Sequence, residues 1–282
     1  MSDASTPSTA SSPGRLDTPV QHNQAAPAPH DRAMHPQGPD QCPEQPLPRP
    51  IAPGPRPPGR PVIAIDGPAG AGKSTLASHL ARHFGFLNLE TGAMYRALAL
   101  KAILNDLSFD EEGPLVDLAH TSTIVLEPVL EGNRVLLDGR DITNRIRDTD
   151  VTAGASRVSV HPGVRSWMVA QQRKLGERGG VVMEGRDIGT KVFPDAEVKI
   201  FLDAAPEVSG NRRYRQGAPI IAAITEETVL RDLKERDERD RNRSDSPLKP
   251  APDAIILDST GLTLPEVLAQ AESIVQQRIQ SI

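Results

Sequence analysis

Cysteine is all but absent from this 282-residue chain: the single one, Cys42, falls in an N-terminal stretch without folding signals. Disulfides, cysteine-held metals and thiol nucleophiles are thereby excluded from the remainder. Long apolar runs are missing too; none approaches the ~18 residues of a bilayer-spanning helix, so no membrane partner is expected. Positive charge is not in excess, since the formal net charge is −5, which argues against a broad nucleic-acid footprint. The first 61 residues contain no aromatic residue but hold 16 of the 27 prolines. Such a stretch cannot bury enough apolar surface to offset the entropy of ordering, so residues 1–60 are predicted to be disordered. Arg56–Pro61 reads as a stiff, partly polyproline run into the folded part. A solvated tail is the plain reading, and a proline-motif ligand or targeting segment the sharper one. The tail has no apolar core of a signal peptide, and its acids count against a transit peptide, so a reducing cytoplasm is the expected compartment.

What is present is a domain-sized block, residues 61–282, organised around Pro61–Thr75. Val62–Ile65 is a short β-branched apolar run, suited to a buried strand. Gly67, Pro68, Ala69, Gly70, Ala71 and Gly72 follow as a loop, and Lys73, Ser74 and Thr75 open a helix. The spelling is G-x-x-x-x-G-K-[ST]. Glycines let successive backbone N–H groups curl inward onto phosphate oxygens, and the helix N-terminus adds its dipole. Lys73 suits the β- and γ-phosphates, and the Ser74 hydroxyl suits Mg²⁺. The loop predicts nucleoside triphosphate binding but not what is done with it.

Strands and helices then alternate. Leu76 to Phe84 keeps helical spacing up to Gly85, Phe86–Leu89 is a second strand candidate, and Ala93–Leu104 and Leu115–Ala119 read as helices. Thr123–Leu126 and Arg134–Leu137 flank a turn at Glu131–Asn133, with Asp141–Thr143 beyond, an antiparallel meander that suggests an inserted lobe at about 120–150. Val151–Val160 and Gly163–Leu175 are helical, separated at His161-Pro162. Strands at Val181–Met183, Val198–Leu202 and Ala254–Leu257, a helix carrying Arg212, Arg213 and Arg215, a long charged helix Thr225–Arg243 and a capped final helix from Thr263 complete the chain. The order predicts an α/β fold with a parallel sheet covered on both faces and sites at the carboxyl ends of its strands.

Several residues have two readings on spacing alone. Arg186-Asp187 is either a charged pair aimed at a ligand or a surface turn, with its place at a strand's carboxyl end favouring the former. In the run Lys234–Arg243, Arg236, Asp240 and Arg243 share one helix face; the run is equally an exposed helix laced with i,i+4 pairs. Arg212, Arg213 and Arg215 belong to a mobile lid at about 205–225 or are solvated. Asp203 is a metal-orienting acid or a helix cap, and Asp66 has the same ambiguity.

Taken together, Ile65–Ser74, Thr91-Gly-Ala-Met-Tyr-Arg96, Glu184-Gly-Arg-Asp-Ile-Gly-Thr190, Val192–Ala196, Lys199–Leu202 and Lys234–Arg243 resemble the bacterial cytidylate kinases of the nucleoside monophosphate kinase group, over about residues 61–280. The resemblance implies a three-layer P-loop fold with an antiparallel monophosphate-binding insert and a helical lid. It implies ATP with Mg²⁺ as the donor, CMP or dCMP as the acceptor, a cytoplasmic enzyme of pyrimidine nucleotide metabolism, and a monomer. It would give Ser156, Arg165 and Asp187 the cytosine edge, and Arg96, Arg186 and Arg243 the acceptor phosphate. Arg236, Asp240 and Tyr95 would take the sugar side, Thr91 the monophosphate, and Lys73, Arg186 and Arg243 the transfer itself. The chain departs from the pattern in its tail, at Ser74, in the apolar stretch Tyr214–Ile221 and at Gly210. A different P-loop small-molecule kinase and a nucleotide-sensing switch are the alternatives; the chain has no N-K-x-D guanine-reading motif.

Overall fold

The computed structural model describes residues 60–129, 132–217 and 225–280. The tail expected at residues 1–60 (Arg60 aside), the turn residue Glu131 and the apolar stretch from 218 to 221 lie outside the described residues.

Strand β1 (Val62–Asp66) is buried at every position, as its unbroken apolar run requires. It leads through the glycine loop into α1 (Lys73–Phe84), which Gly85 ends in a left-handed conformation. β2 (Leu87–Glu90) passes directly into α2 (Thr91–Leu104), and α3 (Glu112–His120) follows. The meander is present as β3 (Ile124–Val129), β4 (Gly132–Leu137) and β5 (Arg140–Asp141). It forms a three-stranded antiparallel sheet of its own. The third strand stops earlier than the expected Asp141–Thr143. The Asp141 carboxylate accepts from the Thr143 N–H at 3.0 Å and from its hydroxyl at 2.7 Å, a local turn that competes with the ladder. Next come α4 (Thr149–Val158) and α5 (Pro162–Gly176), the latter with proline in its first turn. β6 (Val181–Glu184), β7 (Val198–Asp203), α6 (Pro206–Gly217), α7 (Glu226–Asn242), β8 (Ile255–Asp258) and α8 (Leu264–Gln280) complete the order.

The main sheet is five-stranded and parallel in the order β2-β6-β1-β7-β8. Side chains alternate across it with period two. Val62 and Ala64 of β1 and Val181 and Met183 of β6 face a core shared with α2, α4 and α5. Ile63 and Ile65 of β1, Val182 of β6 and Val198, Ile200 and Leu202 of β7 face a second core, built with α1 and α8. No helix among the described residues is long and apolar enough to cross a membrane. β1 lies between β6 and β7, so the loop at its carboxyl end opens beside the ends of both neighbours, the crevice where open α/β sheets bind ligands.

Candidate active site

The first half of the site is the loop after β1. Gly67 has φ +147°, and a Cβ there would sit 2.0 Å from the Leu202 carbonyl oxygen on β7. Only glycine lets the chain turn this close to the neighbouring strand. Gly72, at φ +102°, caps α1 without a side chain, and the first turn of α1 carries no acid. The N–H groups and the positive end of the helix dipole are therefore left for an anion. Lys73 is buried and its ammonium donates to the Pro68 carbonyl at 2.6 Å, folding back along the loop. The Ala69 N–H donates to Asp237 on α7 at 2.8 Å, which brings the charged helix against the loop. An open groove of about 460 Å³ runs alongside, lined by Pro68, Ala69, Asp203, Ser209, Asp237 and Thr260.

Two acids close to the loop have separate duties. Asp66, at the end of β1, accepts the N–H groups of Ile188 at 2.8 Å and Gly189 at 2.7 Å. Burial nonetheless pushes its carboxyl up to about 6, against those two bonds. Its role is to hold the π-helical turn Ile188–Val192 that follows Asp187. Glu184, at the end of β6, is buried and takes a hydrogen bond from the Ser74 hydroxyl. Burial pushes the Glu184 carboxyl well up, with Glu90 adding to the rise, and pushes the Lys73 ammonium well down, with Arg186 adding to the fall. Glu184 Oε1 has no hydrogen-bond partner. A buried acid with an open oxygen beside a hydroxyl suits a hard divalent cation. Asp203 caps no helix: its carboxylate accepts the adjacent Ala204 N–H at 3.0 Å, and the residue lines the groove beside the loop.

The second half of the site lies across the ends of β2 and β6. Thr91, first residue of α2, donates its hydroxyl to the Glu184 carbonyl at 2.7 Å. Asp187 is buried, not a surface turn, and is paired with Arg165 of α5. The Arg165 guanidinium also donates to the Ser159 carbonyl at 3.2 Å and lies 5.7 Å from the centre of the Tyr95 ring. Asp240 binds Arg186 at 3.0 Å through one oxygen and Arg243 at 3.2 Å through the other. Burial alone would raise the Asp240 carboxyl, but Arg186 and Arg243 overcome it and hold it below the usual range. The face of α7 that reads ambiguously in sequence is thus turned inward, with Asp240 and Arg243 buried and Arg236 half-buried. Burial brings the Arg236 guanidinium down to about 10, with Arg186 close by. Arg96 pairs with Glu90, whose carboxyl it pulls below normal against the effect of burial.

The polar groups here are conspicuously incomplete. Tyr95 Oη, Arg96 Nε, Ser156 Oγ, Arg165 Nε and Arg243 Nη2 are all buried without a hydrogen-bond partner. Each such group costs roughly 1–3 kcal/mol if nothing binds it. Burial drives the Tyr95 hydroxyl up to about 12, so it is present as a donor.

The lid arginines separate. Arg212 donates to the Ser259 hydroxyl at 2.9 Å and its carbonyl at 2.8 Å, and reaches the Ala71 carbonyl at 3.4 Å, beside the glycine loop. Arg213 is exposed, though partial desolvation and the like charges of Arg96 and Arg147 lower its guanidinium from the usual range. Arg215 is exposed. The sequence reading gave no role to Asp237, Glu90 and Arg147, which carry no local signal, and included Glu184 only as the opening residue of its motif at a strand's end.

A glycine-loop anion cradle on a parallel sheet, beside a buried cationic pocket at the next strand's end, defines a P-loop phosphotransferase. The family model described as cytidylate kinase matches residues 63–277. A cytidylate kinase of Solibacter usitatus is 48% identical over 222 residues, 78% of this chain and 94% of the relative. One of Enterococcus faecalis is 45% identical over 220 residues, 78% of this chain and 97% of the relative. One of Aeromonas salmonicida is 43% identical over 219 residues, 78% of this chain and 95% of the relative. The chain belongs to the cytidylate kinase family, and it is a nucleotide-dependent kinase.

Proposed function

We propose that the chain transfers the γ-phosphoryl group of ATP to the 5′-phosphate of CMP or dCMP. The observation that carries this reading is the set of unpartnered buried polar atoms opposite the glycine loop. They combine guanidinium groups at Arg96, Arg165 and Arg243 with hydroxyls at Tyr95 and Ser156, the donor and acceptor chemistry that a nucleoside monophosphate requires. The loop Gly67–Thr75 takes the donor phosphates on its N–H groups, with Asp237 moving off Ala69 to admit them. Arg96, Arg186 and Arg243 hold the acceptor phosphate, Thr91 positions it, and Arg236, Asp240 and Tyr95 take the sugar. Ser156, Arg165 and Asp187 read the base edge. Cytosine presents an amino donor beside an acceptor ring nitrogen, where uracil presents the reverse. A site paired to one pattern leaves buried groups unpaired with the other, which is a strong penalty.

The acceptor phosphate oxygen attacks directly, so no covalent enzyme intermediate is needed. The chain's contribution is alignment and charge stabilisation. Lys73 swings from the Pro68 carbonyl onto the transferring group, where the anion restores its charged form. Arg213, whose guanidinium feels the charges of Arg96 and Arg147, would add positive charge toward the acceptor phosphate. Ser74 and Glu184 would hold Mg²⁺, which supplies neutralisation of phosphate charge when bound. The antiparallel sheet serves as the monophosphate insert, and α6, which carries Arg212 and Arg213, as the described part of the lid expected at about 205–225.

A coupled ADP-release assay over CMP, dCMP, UMP, AMP and GMP tests the assignment. CMP and dCMP should exceed UMP by at least about a hundredfold in kcat/KM. Equal rates with UMP or AMP would refute the base-reading roles.

A further inference from the structure

His79 and His83 lie one turn apart on α1, and Glu272 reaches them from α8. The ring nitrogens and the carboxylate oxygen all lie within 4.8 Å of one another. We propose that His79, His83 and Glu272 form a binding site for a borderline divalent transition metal, Zn²⁺ or a close equivalent, that clamps α8 to the helix carrying Lys73. None of the three takes part in the nucleotide site.

The donor set fits this class of ion. Two imidazole nitrogens and one carboxylate oxygen suit Zn²⁺, Ni²⁺ or Co²⁺, whereas Mg²⁺ prefers all-oxygen ligands. Histidines at i and i+4 present both rings from one helix face, the spacing zinc-binding helices use. Ligand atoms about 2.0–2.1 Å from a tetrahedral Zn²⁺ are roughly 3.3 Å from each other. His83 Nδ1 already stands 3.3 Å from Glu272 Oε1, and His79 Nε2 is hydrogen-bonded to the same oxygen. Side-chain rotation alone would open the His79 contact to a bridging ion, and a water completes the fourth position.

The three groups are also free to serve an ion. Among the described residues, Glu272 has ion pairs with the two histidines and with no lysine or arginine. Side-chain exposures of 28%, 45% and 29% for His79, His83 and Glu272 give an ion a path in while keeping the ligands partly ordered. The backbone beneath is fixed: Leu76, Ala77 and Leu80 of α1 pack with Val267, Ala271 and Val275 of α8 in one core. The Phe84 ring, 4.7 Å from that of His83, buttresses it.

The test is isothermal titration of the full-length, metal-stripped protein with ZnCl₂, repeated on His79→Gln, His83→Gln and Glu272→Gln. His22, His30, His35 and Cys42 of the tail are further potential ligands, so the site is read as the difference between wild type and variant in the same chain. Each variant should lose one Zn²⁺ equivalent or bind it at least about tenfold more weakly. Zn²⁺ at a hundredfold excess over the wild-type Kd should raise the wild-type Tm by about 5–10 °C, and that rise should fall by about half or more in the variants. CMP phosphorylation by Zn²⁺-free protein supplied with Mg²⁺ should be the same in all four. Zn²⁺ binding and Tm response unchanged by all three substitutions would overturn the site, as would a wild type that takes up no Zn²⁺. Because the readout is binding and melting, it stands or falls independently of the base-reading assignment.

Discussion

Removing Asp187 should do two separable things, and the Arg165–Asp187 pair sets the size of the first. The two side chains are 1% and 7% exposed. Asp187→Ala strands the guanidinium with the Ser159 carbonyl at 3.2 Å and Asp245 at 3.9 Å as its remaining partners. Breaking a buried pair from one side costs about 3–5 kcal/mol, because a charge is left uncompensated. For a domain of this size that is a fall in Tm of about 6–20 °C. Arg165→Met should cost a similar amount. The double variant removes both charges, so it should be more stable than the sum of the singles by about 2–3 kcal/mol. Urea melts of the four proteins measure this coupling. The second effect is on selectivity: the ratio of kcat/KM for CMP over UMP should fall at least about tenfold in Asp187→Ala, while KM for ATP moves little. Additivity within about 0.5 kcal/mol, together with an unchanged base ratio, would refute the account of this pair.

Three further outcomes are expected. Lys73→Ala should slow transfer by at least about 10²–10³-fold in the coupled assay with the melt nearly unchanged, since the ammonium is buried, pushed toward its neutral form and hydrogen-bonded to the Pro68 carbonyl; near-normal turnover would sink the mechanism. Glu184→Gln should raise the Mg²⁺ concentration for half-maximal rate by about tenfold or more, and an unshifted Mg²⁺ curve would remove Glu184 from that role. Asp66 holds its proton to about pH 6 in the folded protein, against 3.8 for a solvated aspartate. Its contribution to stability is therefore complete below about pH 4 and lost as pH rises through about 6, a change of about 3 kcal/mol. Asp66→Asn should flatten that part of the urea-melt pH profile of ligand-free protein, and an identical slope would contradict the burial argument.

The donor half of the site was legible because it is contiguous. Strand, glycine loop, Lys73-Ser74 and helix follow one another, and local sterics fix how they sit. The acceptor half is assembled from distant segments, and its legibility came from resemblance and not from spacing. Arg236, Asp240 and Arg243 show this well. A run of alternating charges has the same spelling whether solvated or buried, and what distinguishes them is Arg186, arriving 54 residues away in sequence to pair with Asp240. Asp237 was invisible for the same reason, since its partner Ala69 is 168 residues away. Asp66 was ambiguous until the π-helical turn after Asp187 showed where its two oxygens go. Asp203 was ambiguous in sequence, and its bond to the adjacent Ala204 N–H lies outside α6. Among the arginines of α6, sequence offered three equivalent candidates; Ser259 and Arg96 separate Arg212 from Arg213.

The two cores on opposite faces of one sheet bear on how such an enzyme can change. The helix that carries the triphosphate loop is seated in one core, whereas α2, α4 and α5, which present Tyr95, Ser156 and Arg165, are seated in the other. Substitutions well apart, without shared partners, add in their effects. Repacking beneath the residues proposed to meet the base can therefore proceed on one face without disturbing the seat of the phosphate loop on the other. A lineage, or a designer, can retune acceptor choice while the phosphoryl donor machinery is inherited intact, with the β-strands acting as a partition between a variable chamber and a fixed one.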